Sequence, residues 1–366
     1  HLAHPLGTRA RDLVAASSTA RTRRTGDDMT HRVLVTGATG YLGGRLVASL
    51  AERSRGAGDP ACIVASDVRE VASAARLPGV EYVSLDVREP GLGDRLARRE
   101  VDTVVHLAAI VTPGPKSNRE LEYSVDVVGT RNVLEACVSA RVRRIIVTSS
   151  GAAYGYHADN PAWLTEDDPV RGNEEFAYSH HKRLVEEMLA GYRRTHPELD
   201  QVVFRVGTIL GETTRNQITA LFEKPRLIAL KGSASPFVFI WDQDVVGAIE
   251  RAIFGGPAGI YNVAGDGALS IQQIAARLGK RCITLPPAAL RTVLAVLHPL
   301  GLSQYGPEQV NFLRYRPVLD NRRLKEVFGY VPRLTSAEVF ELFRKARGLG
   351  PPCTCLADPS TGRRCW

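Results

Sequence analysis

Val33-Leu34-Val35-Thr36-Gly37-Ala38-Thr39-Gly40-Tyr41-Leu42-Gly43 runs a short β-branched strand straight into three evenly spaced glycines. A stretch of helical spacing, 45–51, follows, so the order is strand, tight turn, helix. Each glycine has its own reason there. Gly37 permits the tight turn, Gly40 lets the backbone approach a ligand, and Gly43 lets helix and turn pack closely. The helix start offers free N–H groups and the positive end of its dipole, a setting suited to pyrophosphate. Gly37, Gly40, Tyr41, Leu42 and Gly43 are therefore candidate dinucleotide-binding residues.

Working outward, short apolar runs (33–35, 62–65, 82–85, 103–107, 145–148, 202–205) alternate with helical stretches (129–138, 178–192). That rhythm predicts βαβ units and a doubly wound parallel sheet, an α/β Rossmann fold, over 31–210. After Gly211 it gives way to helical pieces and aromatic clusters. A smaller C-terminal α/β lobe for substrate is expected over 211–347, some of its strands and helices returning to the first domain. Residues 1–28 and 348–366 are expected as disordered extensions, Met29 standing just before the first strand. The leader is rich in Arg and Ser but carries Asp12, Asp27 and Asp28 and no amphipathic face, against a transit peptide.

Composition narrows the partners. The 366 residues carry 47 Lys and Arg against 39 Asp and Glu, a formal charge of +8. Nucleic-acid binding needs a basic stripe with interleaved aromatics. The arginines instead recur along the whole chain, as at Arg141, Arg143 and Arg144, which reads as a solvated basic surface. The apolar stretch from Pro287 to Leu302 is broken by Arg291 and His298 and is shorter than the ~20 residues of a membrane span. Neither nucleic acid nor membrane is expected as a partner. Six cysteines in this length make no disulfide scaffold, so a reducing, cytoplasmic compartment is expected. Cys353, Cys355 and Cys365 lack a nearby His to complete a zinc site, and no metal is expected.

Two strand ends carry carboxylates. Asp67 closes the second strand, where it can accept hydrogen bonds from the adenosine ribose and would repel a 2′-phosphate. This favours NAD over NADP, unless Arg69 or Arg45 turns inward to offset it. Asp86, followed by Val87 at the end of the third strand, is placed for the adenine amino group. Further on, 145–155 delivers Thr148, Ser149 and Ser150 to the carboxyl edge of the sheet, where ligand chemistry belongs. Tyr178 and Lys182, four residues apart, fall on one face of a helix.

Segments 36–43, 86–87, 106–109, 125–132, 148–155, Tyr178 to Lys182, 204–211, 240–246 and 259–265 resemble, in this order, the extended short-chain dehydrogenase/reductase family, the NAD-dependent epimerase/dehydratase group. The resemblance covers about 31 to 345, and segments 134–137 and 178–182 are also similar to the 3β-hydroxysteroid dehydrogenase branch. It implies that Tyr178 is the acid/base of hydride transfer at a secondary alcohol or ketone. A free phenol ionises near pH ~10, so the Lys182 ammonium and the oxidised nicotinamide must favour the phenolate. Lys182 is also implied to hold the nicotinamide ribose, and Ser150 to steady the substrate oxygen, with Ser149 the runner-up. By the same resemblance Leu107, Ala108 and Ala109 line the phosphate-ribose channel, Thr148 flanks the nicotinamide, and the backbone at Val206 and Gly207 meets its carboxamide. A homodimer is implied, with the helices over 129–138 and 178–192 pairing into a four-helix bundle.

The chain departs from the family pattern at Asp126, where Asn is common, at Val206, where proline is common, and at His180 and His181, where small residues often sit. The two histidines are expected at exposed helix positions. Thr208 replaces the Asn that grips the diphosphate in sugar-nucleotide epimerases, while Phe222, Phe237, Phe239, Trp241 and the apolar helix 288–297 suggest an apolar substrate pocket. The first reading is thus an NAD-dependent dehydrogenase or reductase. The second is a sugar-nucleotide epimerase or dehydratase, and the third, of another class, a non-catalytic dinucleotide sensor.

Overall fold

The computed structural model describes residues 31–56, 61–111, 118–302 and 306–350; the three C-terminal cysteines lie outside them. In chain order the first part runs β1 (His31–Thr36), α1 (Tyr41–Arg55), β2 (Ala61–Asp67), β3 (Val80–Ser84), α2 (Leu92–Arg98), β4 (Thr103–His106), α3 (Arg119–Tyr123) and, after a π-helical turn (Ser124–Val128), α4 (Gly129–Ser139). Then come β5 (Arg144–Ser150), α5 (Ala177–Thr195) and β6 (Asp200–Val206). The second part holds β7 (Thr208–Leu210), α6 (Gln217–Glu223), β8 (Arg226–Leu230), β9 (Phe239–Trp241), α7 (Asp242–Phe254), β10 (Gly259–Val263), α8 (Ile271–Arg277), β11 (Arg281–Leu285), α9 (Pro287–Leu297), α10 (Gln309–Arg314) and α11 (Ser336–Ala346).

Seven strands form one parallel sheet in the order β10-β6-β5-β4-β1-β2-β3. The order reverses between β1 and β4, where the crevice of a doubly wound sheet opens. Side chains alternate across the sheet because successive residues of a strand face opposite ways. Val33, Val35, Ile63, Val105 and Ile146 join Leu46 and Leu50 of α1 and Ile249 of α7 in one core. Leu34, Val64, Val104, Ile145 and Val147 join Val133 and Leu134 of α4 and Leu189 of α5 in the other. Burying each such aliphatic side chain stabilises the fold by ~1.5–3 kcal/mol. β10 and α7 come from the second part of the chain yet complete the large sheet and its covering layer.

The remaining elements form their own core, in which the parallel pairs β7/β9 and β8/β11 accompany a cluster of phenylalanines. Phe222 meets Phe340 edge-on at 5.5 Å, and Phe237 stacks on Phe239 at 5.8 Å. Phe222, Phe237 and Phe239, expected around an apolar pocket, are buried in the lobe's interior instead. Aromatic density in a sequence reports core packing as readily as a ligand site. Helix α9 forms where the apolar run is, but none of its residues is buried. No helix among the described residues is long and apolar enough to cross a membrane.

Candidate active site

The glycine turn sits at the crevice. Gly37 adopts φ +68°, and a Cβ on it would stand 2.8 Å from Ala108 N. The same atom on Gly43 would stand 2.1 Å from Gly37 O. Gly40 differs: beyond its chain neighbours, only Gly37 O at 3.1 Å stands within 4 Å of its Cβ position among the described residues. Its face is open, whereas Gly37 and Gly43 are closed by the protein itself. Tyr41 and Leu42 start α1, whose Gly40 cap supplies no side-chain hydrogen bond to the first turn, so backbone donors there remain available.

Asp67 lies beneath this turn, its Oδ2 accepting from Thr39 N at 3.0 Å and its Oδ1 from Arg69 N at 3.1 Å. Burial opposes its ionisation, but the hydrogen bonds from Thr39 and Arg69 prevail and hold the carboxyl below its usual range. Arg69 turns to Asp67 itself, and Arg45 turns to Asp242 at 3.1 Å. Asp86 is engaged by Arg88, which donates through Nε at 2.9 Å and keeps the carboxyl ionised to lower pH than usual. Val87 is buried under Gly129, whose Cβ would come within 2.6 Å of it.

β4 delivers Leu107, Ala108 and Ala109 beside the turn, with Leu107 N and Ala108 N donating to Thr36 Oγ1 at 3.2 and 3.3 Å. Behind them stands His106, the first residue of the 106–109 segment, to which the sequence reading gave no role. Its ring bonds Thr36 Oγ1 at 2.8 Å and Thr130 Oγ1 at 3.0 Å, tying β1 to α4. Burial, aided by the nearby Lys182 charge, depresses its pKa to about 4.

Tyr178 and Lys182 occupy one face of α5. Lys182 Nζ donates to Thr148 O at 2.9 Å and lies 5.6 Å from the centre of the Tyr178 ring. Ser150 ends β5 opposite Val206 of β6, and its Oγ accepts from Ala152 N at 3.1 Å. The short turn that Ser150 caps is held to α5 by Ser179, which donates to Ala152 O at 2.7 Å. Strand end and helix start are thereby joined within one residue of Tyr178. Ser149 points the other way, donating to buried Glu186 at 2.5 Å beside the Glu186–Arg205 ion pair. The Ser149 hydroxyl is thereby committed to Glu186. Gly207 follows Val206 and donates to Val263 O at 2.9 Å.

The two departures at Asp126 and His181 meet each other. His181 is buried, not exposed as expected, and its Nδ1 lies 3.3 Å from Asp126 Oδ2. The spacing within one helix could not show this, because the carboxylate arrives from the π-helical turn before α4. His106, Asp126, Thr130, Thr148 and Lys182 line a small cavity of about 10 Å³ beside the site. A larger groove, about 750 Å³, follows Ser49, Arg53, Glu250 and Arg251 along α1 and α7 and contains none of these residues.

Arg316 is the second residue that the sequence reading missed. Its guanidinium is sandwiched between Phe237 at 4.0 Å and Phe312 at 4.5 Å. Nε and Nη2 are buried without a hydrogen-bond partner among the described residues, and burial pulls the group below its usual pKa. Phe312 in turn packs against Tyr156 at 4.9 Å and against Phe176, which precedes α5, at 5.9 Å, and burial pushes the Tyr156 hydroxyl up to about 12. No sequence signal separates Arg316 from the many surface arginines.

Comparison with known proteins settles the family. The model of the NAD dependent epimerase/dehydratase family matches residues 33–264. The chain belongs to this family. This epimerase/dehydratase-family protein is 29% identical to UDP-glucose 4-epimerase of Mycolicibacterium smegmatis, over 84% of this chain and 95% of that one. It is 28% identical to the uncharacterized protein Rv0501 of Mycobacterium tuberculosis, over 89% and 86% of the two chains. The solved structure of UDP-glucose 4-epimerase from Thermus thermophilus, a complex with NAD, superposes with a TM-score of 0.63 at 23% identity, covering 87% of this chain and 99% of that one. That likeness is one of fold. The family is one of NAD-dependent enzymes, and the open face at Gly40 with the Asp67 carboxylate beneath it fits NAD.

Proposed function

We propose that this enzyme performs reversible hydride transfer at a secondary alcohol or ketone, with Tyr178 as acid/base. The observation that carries the reading is the Lys182 ammonium held between Thr148 O and the Tyr178 ring. NAD, when bound, takes up and returns the hydride. Gly37, Gly40, Tyr41, Leu42 and Gly43 would hold its pyrophosphate, Asp67 its ribose, Asp86 and Val87 its adenine. Leu107, Ala108, Ala109, Thr148, Val206 and Gly207 would line the rest, and Lys182 has donors left for the second ribose. Tyr178 removes the hydroxyl proton in the oxidative direction and restores it in the reductive one. Ser150 donates a hydrogen bond to the same oxygen and steadies its developing charge.

Arg316 favours the second reading of the sequence over the first. A buried guanidinium without a hydrogen-bond partner is costly unless a ligand completes it. An anionic group on the substrate does so, and a nucleoside diphosphate sugar, as the name of the mycolicibacterial relative suggests, supplies both the anion and the secondary alcohol. The free cysteines Cys62, Cys137 and Cys282 suit a reducing cytoplasm, and pairing of α4 and α5 between two copies is the dimer we propose. Incubation with NAD and a panel of UDP- and dTDP-hexoses tests the function. Sugar conversion without net NADH supports epimerase or dehydratase action, and stoichiometric NADH supports a dehydrogenase. Failure to bind any dinucleotide overturns both.

A further inference from the structure

Phosphate binding at the glycine turn calls only on backbone atoms, yet the side chain of Tyr41 is fully engaged. Its hydroxyl donates to Asp242 Oδ2 and lies 2.7 Å from Thr214 Oγ1. One helical turn on, Arg45 reaches the same two places. Its Nε is 3.1 Å from Asp242 Oδ2, its Nη2 donates to Thr213 Oγ1 at 2.8 Å, and its guanidinium sits 4.8 Å from the centre of the Tyr41 ring. Asp242, at the start of α7, is completely buried. Gly211 must lack a side chain for this, since a Cβ there would stand 2.2 Å from Asp242 Oδ2.

These bonds join two segments that belong to different ends of the cofactor groove. Tyr41 and Arg45 follow directly on the glycine turn. Thr213 and Thr214 belong to the segment that leaves β7, and β7 begins one residue past Gly207. A ligand held both at the glycine turn and at Gly207 therefore lies in a groove whose walls are tied together by side chains.

We propose that Tyr41, Arg45, Thr213, Thr214 and Asp242 form a clasp on the dinucleotide groove, and that its opening sets the rate at which NAD is released. The proposal rests on the reading of that groove as the NAD site and adds to it a kinetic role. An enzyme that reduces and reoxidises its cofactor within one turnover needs such retention, whereas a dehydrogenase that exchanges NAD each cycle is slowed by it.

The release rate is read by loading the full chain with NADH and following loss of its bound fluorescence after a chase with excess NAD. Tyr41→Phe keeps the ring and removes both hydroxyl contacts, and Thr214→Val removes one. Release is expected to accelerate at least about tenfold in Tyr41→Phe, equivalent to about 1.4 kcal/mol, and by a smaller factor in Thr214→Val. Melting temperatures without cofactor show whether each variant is folded, and Thr214→Val decides alone if Tyr41→Phe is not. Release at the parental rate from the folded variants overturns the clasp and leaves the cofactor site intact. A parent protein that binds no NADH overturns the cofactor reading itself.

Discussion

Asp126 Oδ2 and His181 Nδ1 face each other at 3.3 Å with both side chains buried, one residue from Lys182. The other oxygen of the same carboxylate accepts from Ile110 N at 2.8 Å. One side chain thus links the π-helical turn before α4, the segment leaving β4 and the helix that carries Tyr178. Asp126→Ala strands an imidazole and a backbone N–H, and a loss of about 3 kcal/mol is expected in urea unfolding. Asp126→Asn keeps an acceptor and should lose less. An alanine variant as stable as the parent would show that the contact contributes nothing.

The glycine turn offers an internal control. Gly43→Ala drives a methyl to 2.1 Å from Gly37 O, so the turn must open and dinucleotide affinity should fall by at least about tenfold. Gly44→Ala, one residue later and exposed, meets only Ala38 O at 3.7 Å. That variant should bind as the parent does and gain up to about 1 kcal/mol from helix propensity. Calorimetric titration with NAD separates the two, and equal affinities would refute the assigned role of Gly43.

His106 links stability to pH. Its folded pKa of about 4 lies below the free value of 6.5, so between these pH values the unfolded chain binds a proton that the folded chain refuses. The contribution is therefore complete above pH ~6.5 and is lost as the pH falls toward 4, by about 3 kcal/mol in all. Denaturant unfolding across this window should show the slope, and His106→Gln should flatten it. A parental slope in that variant would place the titration elsewhere.

Tyr178→Phe removes the proton carrier and leaves the fold's packing in place. Its kcat should drop by about 10² to 10⁴ while NAD still binds. Ser150→Ala should lower kcat by a smaller factor, because one hydrogen bond to the reacting oxygen is lost. Steady-state kinetics on the converting substrate reads both, and a Tyr178→Phe enzyme with parental kcat rules out the acid/base assignment.

Arg316→Met replaces a half-buried cation with an apolar side chain of similar length. Affinity for an anionic ligand such as UDP should fall by about 10², in keeping with loss of charge-assisted hydrogen bonds. The melting temperature without ligand should not fall, since Nε and Nη2 of the native residue have no hydrogen-bond partner among the described residues. Unchanged UDP binding would remove the anion site.

The sheet and its order of elements were legible because each is written locally. Alternation sorts Val33, Leu34 and Val35 onto opposite faces, glycine spacing marks the turn, and a four-residue interval places Tyr178 and Lys182 on one helix face. The periodicity of 288–297 likewise predicted α9, though not that it would bury nothing. Contacts between distant segments were decided only by folding. His181 found its carboxylate 55 residues away, Arg45 and Tyr41 found Asp242 at the start of α7, and Arg316 came to lie between two aromatic rings. Alternation sets Ser149 and Ser150 on opposite faces of β5, but only packing gave Ser149 its partner Glu186, 37 residues away on α5. Periodicity records which side of its own element a residue occupies, whereas a hydrogen-bond partner depends on how elements pack, and no local pattern carries that information.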